Sequence, residues 1–434
     1  MAAALPPELL AMIFTELVPT QHNESNHVYS RDDARAAYRL AAVCKRWRFE
    51  ALATRMLWTY IYIPLVLSKD PEHWAPVLYH MMTMLERSGQ RALDLEINWV
   101  RAGAISSVGS RRVRGWAIPA MDVLMALNGS QSRWRCFRMY WNCQFHGAAR
   151  LQVFGGPTPL LEELVLRNIQ PSCAPLFPRH LVQAPKLRVL DLHSHAPMLR
   201  GYKDSCLPSL TSLRLVTSRV TTTSLLNLLR CPTLEDLHLS IRDGLPEDLE
   251  GSITAISPPV LPALRRIGLM WYGMDLFNRL ATSLPAPNLT SLEVGDTGWT
   301  ENILSHWGST IRSLTLHHDC SRFSDYHIDT FVCLSNIRSL HLSSYTKDAF
   351  LTKFFVRATE ITAWPNLDTI SFAGSDKPGR ALFEAASLAA LLAFVRTRNA
   401  LARETSGVAR IGSVKFSESV EVPQSYVDEI RGLC

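Results

Sequence analysis

The chain has 434 residues, of which 47% are hydrophobic and 19% are charged, and its formal net charge at pH 7 is +6. Because this length exceeds what one core usually serves, we expect two domains or an extended array of repeats, and the hydrophobic content excludes disorder over most of the chain. No apolar run approaches the ~20 residues of a membrane helix. The nine cysteines form no CxxC pair. We therefore predict free thiols in the cytoplasm, the nucleus or both, with no membrane association, disulfide framework or zinc site.

The first predicted element is a helix over residues 5–17 (LPPELLAMIFTEL). Its apolar residues recur at intervals of three and four, which gives a helix one broad apolar face. Pro6 and Pro7 fit the first turn, where a missing amide donor costs least. After a polar stretch, residues 37–58 (AYRLAAVCKRWRFEALATRMLW) form a second helical pattern. By themselves, these patterns predict a helical cap on the fold that follows.

Three short motifs follow one another in this segment: LPPELLAMIF (5–14), VCKRW (43–47) and LW (57–58). In this order they resemble the F-box, so residues 1–60 are interpreted as an F-box-like module with an internal insertion near 18–38. The resemblance implies three helices that bind the Skp adaptor of a cullin–RING ubiquitin ligase. The residues that it places at the adaptor contact are Leu5, Pro6, Ile13, Phe14, Val43, Cys44, Lys45 and Trp47. Those expected to pack inside the module are Leu9, Leu10 and Leu17.

Residues 101–150 carry most of the positive charge. The segment contains eight arginines and one acidic residue, Asp122, so its net charge is +7 and the rest of the chain is nearly neutral. Arginine interleaved with tryptophan and tyrosine can bind an acidic protein partner, or nucleic acid through phosphate pairing and stacking. The alternative is a solvated loop followed by arginines at exposed positions of one of the repeats described next. The candidate residues for a substrate or anion patch are Arg101, Arg111, Arg112, Arg114, Arg133, Arg135 and Arg138.

From residue 61 onward a six-residue phrase recurs: apolar, two variable, apolar, one variable, apolar. Nine good copies begin at positions 161, 187, 210, 234, 264, 289, 311, 337 and 367, and weaker copies begin at 92, 134 and 411. From 134 to 367 the spacing stays close to the ~20–29 residues of leucine-rich repeats. A proline often stands two residues before the phrase, where it ends the preceding element without removing a ladder hydrogen bond.

Alternate side chains of a strand point to one side, so the last two apolar positions of each phrase face inward. Stacked copies then form a parallel sheet with one continuous apolar face, covered by helices between the phrases. Helix candidates include 325–333 and 346–361, and the long gap before 411 predicts a helical insertion. We therefore predict an α/β fold: three N-terminal helices, then an irregular leucine-rich-repeat solenoid over 61–434 with a curved parallel sheet and helices outside.

Enzyme motifs and recognised metal-ligand spacings are missing from the sequence, so we expect neither catalysis nor a cofactor. His193 and His317 follow predicted strands and are interpreted as surface or turn histidines. The complete pattern resembles the F-box proteins with leucine-rich repeats, which implies an adaptor that holds an unknown target protein on its repeats. Two alternatives stay open: a scaffold whose N-terminal helices only cap the solenoid, and a nucleic-acid-binding repeat protein that uses the 101–150 arginines.

Overall fold

The chain is described by a computed structural model with two compact units, Met1–Leu210 and Thr211–Cys434. The predicted insertion near 18–38 falls largely outside the described residues. The described residues are 5–17, 35–66, 74–100, 123, 125–141, 156–167, 184–193, 207–217, 225, 229–241, 260–271, 284–295, 305–317, 325–343, 348–373, 381–382, 384–417 and 420–434.

The first unit begins with three α-helices: α1 (Pro7–Glu16), α2 (Ala36–Val43) and α3 (Lys45–Ala53). A 3-10 turn over Arg55–Trp58 follows. The predicted start of α1 is confirmed, since a proline occupies its first turn. The second helical pattern is split into two helices because the backbone of Cys44 is extended (φ −160°, ψ 171°).

Five parallel strands follow in the first unit, paired in chain order along the sheet. The helix α4 (Trp74–Ser88) lies between the first two strands in the chain. The strands are β1 (Tyr60–Val66), β2 (Leu93–Val100), β3 (Trp134–Trp141), β4 (Glu163–Arg167) and β5 (Val189–His193). β2 to β5 were predicted. β1 was not, because the first copy of the phrase was recognised only at residue 92.

The second unit holds eight strands of the same kind, in the order β6 to β12 and then β14. A separate two-stranded parallel sheet, β13 (Ala381–Leu382) with β15 (Val420–Glu421), was not predicted. The eight strands are β6 (Ser212–Thr217), β7 (Asp236–Ile241), β8 (Arg266–Trp271), β9 (Ser291–Val294), β10 (Ser313–Leu316), β11 (Ser339–Ser343), β12 (Thr369–Ala373) and β14 (Ser413–Phe416).

The apolar positions of the phrase form the core of each unit. In the second unit Leu292 pairs with Leu314, Leu314 with Leu340 and Leu340 with Ile370, all in register. None of these side chains has measurable exposure to solvent. Full burial of such a side chain stabilises the fold by roughly 1.5–3 kcal/mol. The predicted inward face is therefore confirmed, and it defines an opposite face of the strands that carries the variable residues.

A turn precedes several strands and explains the recurrent proline. The Leu234 amide donates to the Cys231 carbonyl at 3.2 Å, and the Leu187 amide donates to the Ala184 carbonyl at 3.1 Å. Pro232 and Pro185 occupy the second position of these four-residue turns, where their fixed φ is favourable. The turn directs the chain into the strand, while the first apolar residue of the phrase becomes buried.

Four helices are described in the second unit: α5 (Asp325–Val332), α6 (Asp348–Glu360), α7 (Ala385–Glu404) and α8 (Gln424–Leu433). The first two match predicted helices, and α7 is the predicted helical insertion before the last phrase. α6 and α7 pack through Phe355 and Phe394, whose ring centroids are 5.7 Å apart. The predicted α/β class, with N-terminal helices ahead of stacked parallel strands, is confirmed.

Candidate functional site

The first helix is fixed by two buried residues one turn apart, Leu10 and Phe14, which are 2% and 0% exposed. The Phe14 ring meets the edge of the Trp47 ring of α3, with centroids 5.1 Å apart. Such an edge-to-face pair contributes about 0.5–1.5 kcal/mol beyond the area that it buries. Leu10 and Phe14 therefore decide which side of α1 faces inward.

Cys44 positions α3 relative to α2. Its extended backbone interrupts the two helices, and its sulfur accepts a hydrogen bond from the Trp47 amide at 3.4 Å. The neighbouring Arg46 guanidinium donates to the Leu5 carbonyl and so ties α3 to the residues before α1. The VCKRW motif thus makes local backbone contacts that hold the three helices together.

Apolar side chains remain exposed on each of the three helices, at 40–71% of their possible surface. We refer to six of them as the exposed apolar set: Leu9, Met12, Ile13, Val43, Phe49 and Leu52. Single exposed apolar residues are ordinary, whereas several on one small helical module make it a candidate binding surface.

The three helices are anchored on the 3-10 turn before β1 and on α4. Trp58 is fully buried, and its indole nitrogen donates to the Ala51 carbonyl of α3 at 2.8 Å. The Arg87 guanidinium of α4 lies 4.4 Å from the Trp58 ring. Tyr38 of α2 shares a 2.8 Å hydrogen bond with Nδ1 of His80 in α4. The N-terminal helices are therefore packed onto the strand region rather than tethered to it.

The strand face opposite the core is polar in the first unit, and its charges pair between strands. Arg135 donates to Asp94 through two nitrogens, and Arg138 donates to Glu163 at 2.7 and 2.9 Å. Glu96 lies beside Arg138, at 4.0 Å, and is almost fully buried. Burial raises the pKa of Glu96 to about 7, against the opposite effect of Arg138.

The last strand of the first unit continues this pattern. Arg167 donates to Asp191 at 2.8 Å, and Nε2 of His193 lies 3.1 Å from the other Asp191 oxygen. Although burial raises the pKa of the Asp191 carboxyl, His193 and Arg167 outweigh it and hold that pKa below its usual value. His193, which the sequence indicated as a surface or turn residue, lies half-buried beside this carboxylate.

In the second unit, the strand face opposite the core carries a histidine–glutamate cluster. Nε2 of His317 lies 2.6 Å from Oε1 of Glu293. Burial raises the pKa of Glu293, but His317, His238 and Arg214 outweigh it and lower the pKa below its usual value. Gly268 lies on β8, between His238 on β7 and Glu293 on β9. A Cβ at Gly268 would be 2.5 Å from Nδ1 of His238. The missing side chain provides the space that the imidazole occupies.

In the part of the chain that the structure describes, no three His, Cys, Asp or Glu side chains are arranged to hold a metal ion. Within the same residues, no helix combines the length and the apolar character needed to cross a bilayer.

Residues 2–64 match a protein family described as F-box-like. The N-terminal helices form an F-box-like domain. No curated protein matches the chain. The family match covers the three helices and most of β1 but does not reach β2 or the strands after it. The evidence for the repeats is therefore their sequence pattern and the parallel pairing of their strands.

The F-box-like domain exposes most of the residues that the resemblance placed at the adaptor contact, which are Leu5, Pro6, Ile13, Val43, Cys44 and Lys45. Trp47 is half-buried, whereas Phe14 is fully buried and can act there only by supporting Trp47. Of the three leucines expected inside, Leu10 is buried. Leu9 and Leu17 were predicted wrongly, because they are 43% and 54% exposed.

Two exposed residues of the domain, Met12 and Phe49, were missed at the sequence level. They are 62% and 71% exposed. Phe49 stands in the hydrophilic run KRWRFE (45–50), where one aromatic residue among charges is itself a signal of surface exposure. Met12 lies beside Ile13 on the first helix, and the apolar period alone could not decide which face of that helix is inside.

Three arginines of the proposed anion patch are described, and all three donate to groups of the protein itself. Arg133 donates to the Arg91 carbonyl and the Ser88 hydroxyl, at 2.9 and 2.6 Å. Arg135 and Arg138 are paired with carboxylates of neighbouring strands. Arg101, Arg111, Arg112 and Arg114 lie outside the described residues. Arg135 and Arg138 are therefore built into the strand face, and Arg133, in the turn before β3, is held by residues at and after the end of α4.

Proposed function

We propose that the chain is the substrate-recognition adaptor of a Skp–cullin–F-box ubiquitin ligase. The F-box-like domain would dock the Skp adaptor, and the stacked strands, as leucine-rich repeats, would bind a target protein. The chain itself would perform no bond-making chemistry. The observation that carries the proposal is the exposed apolar set on the helices of a domain that matches the F-box-like family.

The exposed apolar set is suited to a protein partner. Val43 and Phe49 expose more than half of their surface, and burial of exposed apolar surface is the dominant favourable term in most protein–protein association. Cys44 and Lys45 stand between them in the chain and are also exposed. Phe14 would contribute indirectly, by fixing the position of Trp47.

Target recognition is assigned to the strand face opposite the core. Its side chains come from successive repeats, so a partner that lies across the strands would touch residues far apart in the chain. In the first unit the Asp94–Arg135 and Glu163–Arg138 pairs neutralise one another. Such a face favours a partner recognised through hydrogen bonds and shape over a polyanion, so we do not assign nucleic-acid binding to the described arginines.

A second candidate is a scaffold in which the N-terminal helices only cap the strands. It is favoured by the contacts of Trp58 with Ala51 and of Tyr38 with His80, which join α3 to the turn before β1 and α2 to α4. Capping by itself, however, would give no reason for the exposed apolar set. Binding of the Skp adaptor separates the two candidates, because a cap needs no partner.

The test is a binding titration of the full chain with purified Skp adaptor. Val43→Asp and Ile13→Asp place a charge on exposed positions and leave the packing of Phe14 intact. Each should weaken binding by about tenfold or more, as expected for a charge buried at an interface. Met82→Asp is the matched control, since Met82 is 49% exposed but lies on α4.

Equal affinity of the wild type and both aspartate variants, or no binding of the wild type, would contradict the proposal. The control should bind as the wild type does. Circular dichroism of each variant verifies that the helices are retained.

We also propose that the protein acts in the cytoplasm, the nucleus or both. Cys44 and Cys333 are free thiols on the surface. Free exposed thiols are typical of a reducing compartment.

A further inference from the structure

A cavity of about 620 Å³ lies within the first unit, between α2, β1 and α4. Its volume falls within the roughly 300–1,000 Å³ that is typical of small-molecule sites. The side chains used below are Arg35, Tyr38 and Arg39 from α2 and its N-cap, Tyr62 from β1, and Val77 and His80 from α4.

One wall of the cavity is held by hydrogen bonds and ring contacts. The Tyr38 hydroxyl and Nδ1 of His80 are 2.8 Å apart, and the Tyr38 ring meets the edge of the buried Trp58 ring at 5.2 Å. Trp58 is fixed in turn by its hydrogen bond to Ala51. The wall is therefore formed before any ligand arrives, which lowers the entropic cost of binding.

The described lining of the cavity contains two arginines, Arg35 and Arg39, and no acidic residue. Burial, with the nearby Arg87, lowers the pKa of His80 and so disfavours a charge on the imidazole. Two guanidinium groups that line one cavity suit an anion.

The rest of the lining is apolar or aromatic. Ala42, Pro64, Pro76 and Val77 contribute carbon surface, and Tyr62 adds a half-buried ring. An inorganic anion would leave most of this surface uncovered. The complementary ligand has an anionic group for the arginines and an apolar body for the remaining lining.

We propose that this cavity binds a small amphipathic anion, with Arg35 and Arg39 contacting its charged group and Tyr62 and Val77 contacting its apolar body. The site lies where the F-box-like domain meets the first strand and α4. A bound ligand would contact the domain and the strand region together and would stabilise their packing. This proposal does not depend on the ligase role.

The test compares two fluorescent probes on the full chain: anilinonaphthalene sulfonate, and phenylnaphthylamine, which has the same rings but lacks the sulfonate. The sulfonate should bind saturably at one site per chain. Arg35→Gln combined with Arg39→Gln should weaken it by about tenfold or more, as the loss of charge-assisted hydrogen bonds implies. Phenylnaphthylamine should be nearly unaffected. Arg403→Gln, at an exposed arginine of α7, is the matched control.

A second variant tests the volume of the cavity. Ala42→Trp adds bulk at an exposed position of α2 that lines the cavity, and it should weaken both probes while the helical content stays unchanged. Sulfonate binding that neither variant alters would overturn the proposal, because the probe would then report a general apolar surface. Displacement of the sulfonate by the Skp adaptor would also overturn it and assign the cavity to the adaptor contact. Stronger competition by a polyglutamate peptide than by decanoate would overturn it in favour of a peptide site.

Discussion

Replacing Glu96 with glutamine tests the electrostatics of the strand face in the first unit. Glu96 is 3% exposed, and one of its oxygens lies 3.5 Å from the Tyr60 hydroxyl. Glutamine keeps the shape of the side chain and can still accept from Tyr60. Arg138 keeps its two hydrogen bonds to Glu163. The substitution therefore removes the ionisation of Glu96 with little change in packing.

The magnitude follows from the raised pKa. Burial moves the Glu96 pKa from 4.5 to about 7. At about 1.4 kcal/mol for each pKa unit, ionising Glu96 in the folded protein costs about 3 kcal/mol more than in the unfolded chain. A raised carboxyl pKa means that the folded state holds the proton more tightly. The stabilisation is complete below pH 4.5 and is lost as the pH rises through 7.

The assay is urea unfolding of the wild type and of Glu96→Gln at pH 5 and pH 8. The free energy of unfolding of the variant, relative to the wild type, should rise by about 2–3 kcal/mol between these values. Taking this difference removes the titration of all other groups. Glu404→Gln, at an exposed carboxyl of α7, serves as the control and should show no such rise. A constant difference between wild type and Glu96→Gln would refute the assignment of a desolvated carboxyl at this position.

Three further predictions concern packing, backbone space and thiol reactivity. Phe14→Ala should lower the free energy of unfolding by about 3–5 kcal/mol in urea titrations, because it empties the space beside Trp47. Gly268→Ala should lower it by about 1–3 kcal/mol, since its Cβ would displace His238. A maleimide should label Cys44 and Cys333 before Cys136 in peptide mass spectrometry, because Cys136 is buried and burial raises its pKa.

The strands could be predicted because their pattern combines two independent periods. The phrase places apolar residues at alternate positions, and its spacing repeats at the length of one repeat unit. Even one of the weaker copies, at 411–416, forms β14 and pairs in register with β12. Phe416 of that copy stacks on Phe372 with ring centroids 5.0 Å apart. The repetition therefore identifies edge strands whose own burial is incomplete.

The missed strand β1 contains the same signal. Trp58, Ile61 and Ile63 have the spacing of the phrase, and all three are fully buried. Ile61 pairs with Leu95 and Ile63 with Ile97, as neighbouring copies do. The signal was overlooked because Trp58 also closes the motif series that resembles the F-box. One residue thus belongs to both the F-box-like domain and the first repeat.

Other features depend on distances that no single segment encodes. The excess of arginine at 101–150 suggested a basic patch. In the structure, however, Arg135 forms an ion pair with Asp94, and Arg138 forms one with Glu163, on adjacent strands. Parallel stacking brings together residues about one repeat apart, so a local charge count cannot show neutralisation. The inward face of α1 was equally undetermined, since both Leu9–Ile13–Leu17 and Leu10–Phe14 follow a four-residue interval.

Capping requires side chains of the F-box-like domain that are buried against the rest of the chain, whereas docking requires side chains that stay exposed. Different residues of the domain serve these two roles. Trp58 and Tyr38 contact Arg87 and His80 of α4, which fixes the domain in place. Val43 and Phe49 stay exposed, which is unfavourable for an isolated protein and favourable when a partner covers them. A domain that served only as a cap would gain solubility by replacing these two residues with polar ones. Their exposure, on a domain already anchored by other side chains, is therefore better explained by an interface than by the folding of the chain.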